Sequence, residues 1–491
     1  MSQIIKDILF LLFEKFQSDS KTLFSCLLVN RLWCETGIPI LWRNPWRYDI
    51  NYKMKSYLFA IIASYLPIDI KEFLISQGIN FPQISSLLFN YLSFCRSIDV
   101  NIINSIIPIG SPLAHNQFLL QKEFYNILIT TCSELKYLDM RSIKHQIFYL
   151  PEAKARLEPL YELTCDTSVD PTYFFGLARI CENIQKLVII NTTKKVNHGV
   201  GKLIEAQENL KSFEWEDDFV GHYLKDPYEE ILLALEKKAN TLNHLKLFFE
   251  YIDDFEHILL QKVLPKFKKL KTLTLADDFV YFNEDQFKIL VYHDIEILNI
   301  HYITINTASS IIENSGGYLK EILLFKECDS YYDFGNSFNE DSLNFIHKVG
   351  KHCPSIEYLT LAFPPTNEHI TEFEKLLKIC QKLKSLLFIF TADEIETPEN
   401  ILGNGAELFK ALIRSAPTNL RELRFYCDFE FYFSLQELEE FLEEWRGRPS
   451  FSIFTTGQIY RKEDYKRLIN KYKKYGVIKD FKSVPRDVVY Y

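Results

Sequence analysis

From Ile5 to Phe16, apolar residues return every three or four positions: Ile5, Ile8, Leu9, Leu12, Phe13 and Phe16, opposite Lys6, Asp7 and Glu14. That spacing predicts an amphipathic helix with one apolar stripe. Ser18, Asp19 and Ser20 break it and offer a cap for a second helix. In that second stretch Leu23, Cys26 and Leu27 share a face, and Leu28, Val29, Leu32 and Trp33 widen it until little of the circumference is polar. A helix so apolar needs cover on more than one side.

Further along, the pattern changes to a leucine-x-x-leucine core repeated through most of the chain. Its first anchors are Leu135, Ile184, Leu210, Leu242, Leu270, Ile295, Leu319, Ile356, Leu383 and Leu420. Most neighbouring anchors stand 24 to 37 residues apart, and one step of 49 leaves room for a divergent unit. Helix-period stretches such as Tyr228 to Ala239, Glu340 to His352, Thr371 to Cys380 and Gly405 to Arg414 precede the cores. Helix, turn, strand and loop in that order predict an α/β solenoid, with parallel strands on its concave side and helices on its convex side. No single unit buries its own apolar face, so stacking supplies the core.

The stretch from about Ile4 to Trp42 resembles an F-box, with Cys26, Leu27, Leu28, Val29, Asn30, Arg31 and Trp33 standing where that family carries its small-apolar, Val-x-[Arg/Lys]-x-Trp pattern. Ser2-Gln3-Ile4 replaces the Leu-Pro that usually opens the motif. With the irregular repeats behind it, the chain is similar to the F-box/leucine-rich-repeat class. The resemblance implies a substrate-recruiting subunit of an SCF-type cullin-RING ubiquitin ligase. Ile8, Leu9, Leu12, Phe16, Leu23, Leu27, Leu28, Val29, Leu32 and Trp33 would hold the Skp-family adaptor, and the solenoid would hold a target protein. A leucine-rich scaffold unrelated to ubiquitin, its first helices serving only as a cap, is the alternative. The expected divisions are an F-box-like helical domain over 1–45, a helical linker or degenerate repeats over 46–131, the solenoid over 132–457, and a capping helix and tail over 458–491.

Composition supports a continuous stack: 491 residues without a low-complexity run, 47% hydrophobic, with 40 Phe. The net charge of −9 gives no reason to expect a nucleic-acid partner. Ten cysteines form no CxxC pair, which argues against a zinc cage or a disulfide framework. Four of them, Cys132, Cys181, Cys353 and Cys380, stand three residues before an anchor, as small buried side chains at a helix-to-strand corner would. No segment has the length of a membrane span or the form of a signal core, so a reducing cytoplasmic or nuclear setting and no membrane partner are expected.

Motifs that could carry chemistry read as ordinary structure. His198-Gly199-Val200-Gly201-Lys202 lacks the earlier glycine and the later hydroxyl of a phosphate loop, with Val196 and Leu203 at those places. His347 and His352 are five apart on a helix and diverge, so no metal ligand set is expected. Glu214, Glu216, Asp217 and Asp218 form an acidic run with nothing to desolvate it as an acid–base pair. The segment 461–491 holds ten Lys or Arg against four Asp or Glu, which fits an amphipathic terminal helix. No catalytic residue and no cofactor are expected. On alternation, the positions between the anchors face outward, and Phe248, His301, Leu323, Phe325, Leu387, Ile389, Arg424 and Tyr426 form an apolar column predicted to meet the target.

Overall fold

A computed structural model describes residues 2–17, 19–47, 52–82, 86–193, 197–219, 228–249, 258–276, 290–301, 304–325, 338–364, 366–390, 398–427, 433–456 and 462–484. The chain divides into two compact units, Met1–Thr241 and Leu242–Tyr491.

The first unit opens with helices α1 (Ser2–Lys15), α2 (Ser20–Leu27) and α3 (Arg31–Leu41), followed by α4 (Tyr52–Ala63) and α5 (Ile68–Ser76). Strands β1 (Ser97–Asp99), β2 (Tyr137–Asp139), β3 (Glu162–Asp166), β4 (Lys186–Asn191) and β5 (Ser212–Asp217) then pair in chain order, all parallel. Between them run α6 (Val100–Ile106), α7 (Ala114–Thr131), α8 (Ala153–Leu157), α9 (Pro171–Ala178) and α10 (Gly199–Ala206), and α11 (Glu229–Glu236) follows β5. Each strand begins a new rung and each helix returns the chain to the start of the next, the open α/β, solenoid-like arrangement the repeats predict.

The same rule builds the second unit. Its strands β6 (His244–Phe248), β7 (Thr272–Ala276), β8 (Ile297–His301), β9 (Glu321–Phe325), β10 (Tyr358–Ala362), β11 (Ser385–Phe390), β12 (Glu422–Cys427), β13 (Phe451–Thr455) and β14 (Ile478–Ser483) are again parallel and in sequence order.

Register places like on like. In the first unit Leu138, Leu163, Leu187 and Phe213 lie side by side, and all four are buried. In the second, Leu245, Leu273, Leu298, Ile322, Leu359, Leu386, Leu423 and Ile453 form one buried row. Removing one such side chain from water stabilises by about 1.5–3 kcal/mol, so the row is the core. The main chain fixes the register as well. The carbonyl just before a strand accepts two N–H groups from the following rung: Lys136 O from Tyr161 and Glu162, both at 2.9 Å, and Lys271 O from Glu296 at 2.8 Å and Ile297 at 2.9 Å.

The four corner cysteines are buried, and each donates its backbone N–H to the carbonyl four residues earlier, closing the preceding helix. Burial raises the thiols of Cys181, Cys353 and Cys380 to about 12, and a hydrogen bond with Cys95 together with burial raises that of Cys132, so they act as small apolar fillers. Gln207 takes this corner before β5. It is fully buried, donating to Cys181 O at 2.7 Å and Leu203 O at 2.9 Å and accepting from Ile184 N–H at 2.9 Å.

Several boundaries differ from the sequence reading. The strands start at Ser97, inside the span 46–131 read as a helical linker or degenerate repeats, and continue to Ser483, inside the span 458–491 read as a capping helix and tail. The 49-residue step hides β3, whose anchors Leu160, Leu163 and Cys165 are all buried. The helix Glu463–Lys474 is amphipathic as expected, burying Tyr465, Leu468, Ile469 and Tyr472, but it feeds a further rung, β14. At the strand ends of the first unit the acidic run is partly structural. Asp217 accepts from Asn191 Nδ2 at 2.6 Å, Trp215 Nε1 at 2.9 Å and Tyr228 Oη at 2.5 Å, and Asn191 in turn accepts from Thr167 Oγ1 at 2.7 Å.

Candidate docking surface

The second apolar stretch forms two helices where one was expected. Asp19 caps α2 by accepting from Thr22 N–H at 3.0 Å, and Asn30 caps α3 by accepting from Trp33 N–H at 3.0 Å. Satisfying these orphan N–H groups favours a restart at Asn30, so Leu28 and Val29 fall in the turn between the helices.

The three helices have their own small core. Leu9, Phe13, Leu23, Ile40 and Leu41 are buried together, with Phe10, Cys26, Leu27, Leu32, Trp33 and Trp42 packed around them. Phe13 meets Trp33 edge-on, ring centroids 5.3 Å apart. Leu9 and Leu23, expected to touch the adaptor, are therefore inward-facing, and Leu27, Leu32 and Trp33 are mostly committed to the same core. What remains outside is also apolar. Ile8, Leu12 and Phe16 form an exposed stripe along α1, Leu28 is 88% exposed and Val29 56%. Leu11 and Phe24 join this exposed set, and sequence reading missed them because both lie off the helical stripes it traced. Beside Phe24 and Leu27, a groove of about 260 Å³ runs between α2, α3 and α4, lined by Ile38, Leu41, Trp42, Tyr57 and Ile61.

The cluster is fastened to the first rung. Arg43 pairs with Glu14 at 2.8 Å and lies over the Phe10 ring, while its carbonyl accepts from Arg96 N–H at 2.9 Å and Ser97 Oγ at 3.2 Å. Trp46, buried, donates from Nε1 to Ser97 O at 2.8 Å. Ser97 opens β1, so the exposed stripe has a fixed relation to the strands of its own unit.

Part of the predicted target column is buried. Leu387, Ile389 and Tyr426 are 3%, 5% and 3% exposed and pack together against Phe454 and Val484. Phe454 in β13 and Val484, next after β14, pack over them, which alternation along a strand cannot reveal. A charge at Leu387 would therefore disturb packing rather than probe a surface. Arg424 is held by Glu422 at 2.5 Å and lies over the Phe454 ring, and Phe248 and Leu323 are half-buried. The side chains of His301 and Phe325 lie outside the described residues.

Groups with catalytic appearance are structural. Fully buried Ser342 lies 2.8 Å from His369 Nε2, and Thr366 Oγ1 lies 2.7 Å from Nδ1. Burial pulls the His369 pKa below its ordinary value, and the neutral ring with both nitrogens engaged is a satisfied core histidine. Gly199 and Gly201 sit in α10, and a Cβ on Gly199 would stand 2.6 Å from Pro171 O, so this glycine serves helix packing. Lys202 is paired with Glu205 at 2.8 Å. His347 lies 3.7 Å from Glu372. Among the described residues no group of three His, Cys, Asp or Glu could hold a metal ion, and no helix is long and apolar enough to cross a membrane.

The N-terminal cluster thus builds its own core and leaves Ile8, Leu12, Phe16, Leu28 and Val29 exposed. No family model and no curated protein matches the chain. Among solved structures it is similar to a crystal structure of a protein from Bacteroides fragilis, at 12% identity over 53% of this chain and a TM-score of 0.28. The chain spans about 63% of the length of that protein, and a likeness at this level carries no argument.

Proposed function

We propose that the chain is the substrate-recruiting F-box subunit of an SCF-type ubiquitin ligase, its N-terminal helices binding a Skp-family adaptor and its repeats binding a target protein. The observation that supports this reading is the exposure of Ile8, Leu12, Phe16, Leu28 and Val29 around a helical cluster whose inner faces are already filled. The adaptor-facing set becomes Ile8, Leu11, Leu12, Phe16, Phe24, Leu28 and Val29, with Leu9 and Leu23 supporting it from within. The contribution of such a subunit is proximity: holding a target near activated ubiquitin raises the effective concentration of the reacting groups, and no side chain here performs chemistry.

Co-purification with a Skp-family adaptor tests the proposal. Wild-type chain should retain the adaptor, and the Leu28→Asp/Val29→Asp double variant should lose it while keeping a wild-type melting profile. A folded wild-type chain that ignores the adaptor would reject the assignment and leave the repeat scaffold unrelated to ubiquitin.

A further inference from the structure

At the edge of the first unit where strands begin, Tyr137 opens β2 and Tyr161 immediately precedes β3. Neither ring enters the core, which Leu135, Leu138, Leu160 and Leu163 fill, and both are exposed. Their centroids lie 6.2 Å apart with planes at 70°, so the rings brace each other into a corner. The corner faces a notch of about 730 Å³ whose other walls include Lys136, Glu158, Asn183 and Gln185. The end of α8, a helix of only five residues, and Pro159 after it line the notch. The backbone is fixed on both sides, Tyr161 N–H donating to Lys136 O at 2.9 Å and Gln185 N–H to Tyr161 O at 2.9 Å.

We propose that this notch binds an extended, proline-containing segment of the target in the polyproline II conformation. The inference rests on the reading that the repeats recruit a protein, and it names the chemistry they select. Polyproline II has no internal hydrogen bonds, so its carbonyls are free to accept from Tyr137 Oη, Tyr161 Oη, the Gln185 amide and the second N–H of Asn183, whose Nδ2 also donates to Glu158 O at 3.5 Å. Pyrrolidine rings are compact apolar plates suited to an aromatic corner, and the restricted backbone leaves little entropy to lose on binding. One cation, Lys136, and one carboxylate, Glu158, balance each other in the walls, which favours a neutral ligand over a highly charged one.

Fluorescence polarisation with a labelled decaproline probe and the full-length chain tests this. Wild type should bind decaproline and leave a labelled ten-residue Gly-Ser peptide free. Tyr137→Ala/Tyr161→Ala should weaken decaproline binding at least tenfold, and Tyr318→Ala, an exposed tyrosine of the second unit, should not change it. If the double variant fails to fold by circular dichroism, Asn183→Ala/Gln185→Ala serves instead, with at least a threefold loss expected. No decaproline binding by wild type at 1 mM, equal binding of the Gly-Ser peptide, or unchanged affinity in the folded notch variant would overturn the proposal. Decaproline binding by a chain that ignores the adaptor would uphold the notch and reject the ligase reading alone.

Discussion

Leu23 and Leu28 are five residues apart and opposite in circumstance: Leu23 is fully buried, Leu28 is 88% exposed. Truncating each to alanine separates docking from folding. Full burial of a leucine against a partner gives about 1.5–3 kcal/mol, and Leu28 retains most of its surface for that purpose. Leu28→Ala should therefore lose about 1.5–2.5 kcal/mol of adaptor affinity, roughly a 10- to 70-fold rise in Kd. Its effect on stability should stay within about 0.5 kcal/mol, as for other surface changes. Leu23→Ala removes a side chain enclosed by Leu9, Phe13, Ile40 and Leu41 and should destabilise by about 2–5 kcal/mol. Titration calorimetry with purified adaptor and urea denaturation followed by circular dichroism give both quantities for each variant. If Leu28→Ala binds as wild type, or lowers the urea midpoint as far as Leu23→Ala, the division between docking stripe and inner core is refuted.

Trp46→Phe deletes the indole donor to Ser97 O and should destabilise the first unit by about 1 kcal/mol, read from its urea midpoint. Gln207→Leu strands Ile184 N–H and the Cys181 carbonyl in a dry corner and should cost about 2–4 kcal/mol, with a matching drop in thermal midpoint. His369 titrates below its ordinary 6.5 when folded, so the unfolded chain binds the extra proton first. Stability should be level above about pH 6.5 and fall as pH drops from there toward the folded value; His369→Gln should reduce that slope, and equal slopes in denaturation at pH 5 to 7 would contradict it.

The regular rungs were legible because their anchors are leucines at the spacing a parallel strand and a returning helix require, as in β6, β7 and β10. The corner cysteines were legible too, through their constant offset from those anchors. β3 escaped because Cys165 stands where a leucine was sought, and β13 and β14 because Phe451, Ile453 and Ile478 follow no LxxL frame. The break at Asn30 was missed because an unbroken apolar pattern outweighed one capping residue. On the N-terminal helices, the pattern marked the apolar positions but not which of them turn inward. Leu9 and Leu23 are as apolar as Leu12 and Leu28, and only packing decides which turn inward. The buried group of Leu387, Ile389 and Tyr426 illustrates the same limit, since its cover comes from residues distant in sequence.

The paired N–H groups that converge on carbonyls ahead of strands, as at Lys136, Lys271 and Lys384, have an evolutionary consequence. Alignment of one layer on the next is secured by peptide groups that every non-proline residue possesses, together with a handful of inward leucines. Outward side chains such as Tyr137 and Tyr161 are thereby released from any duty to hold the architecture together. Mutation can alter these outward positions while the wall itself stands, so a lineage built on this plan can vary its surface without reinventing its scaffold.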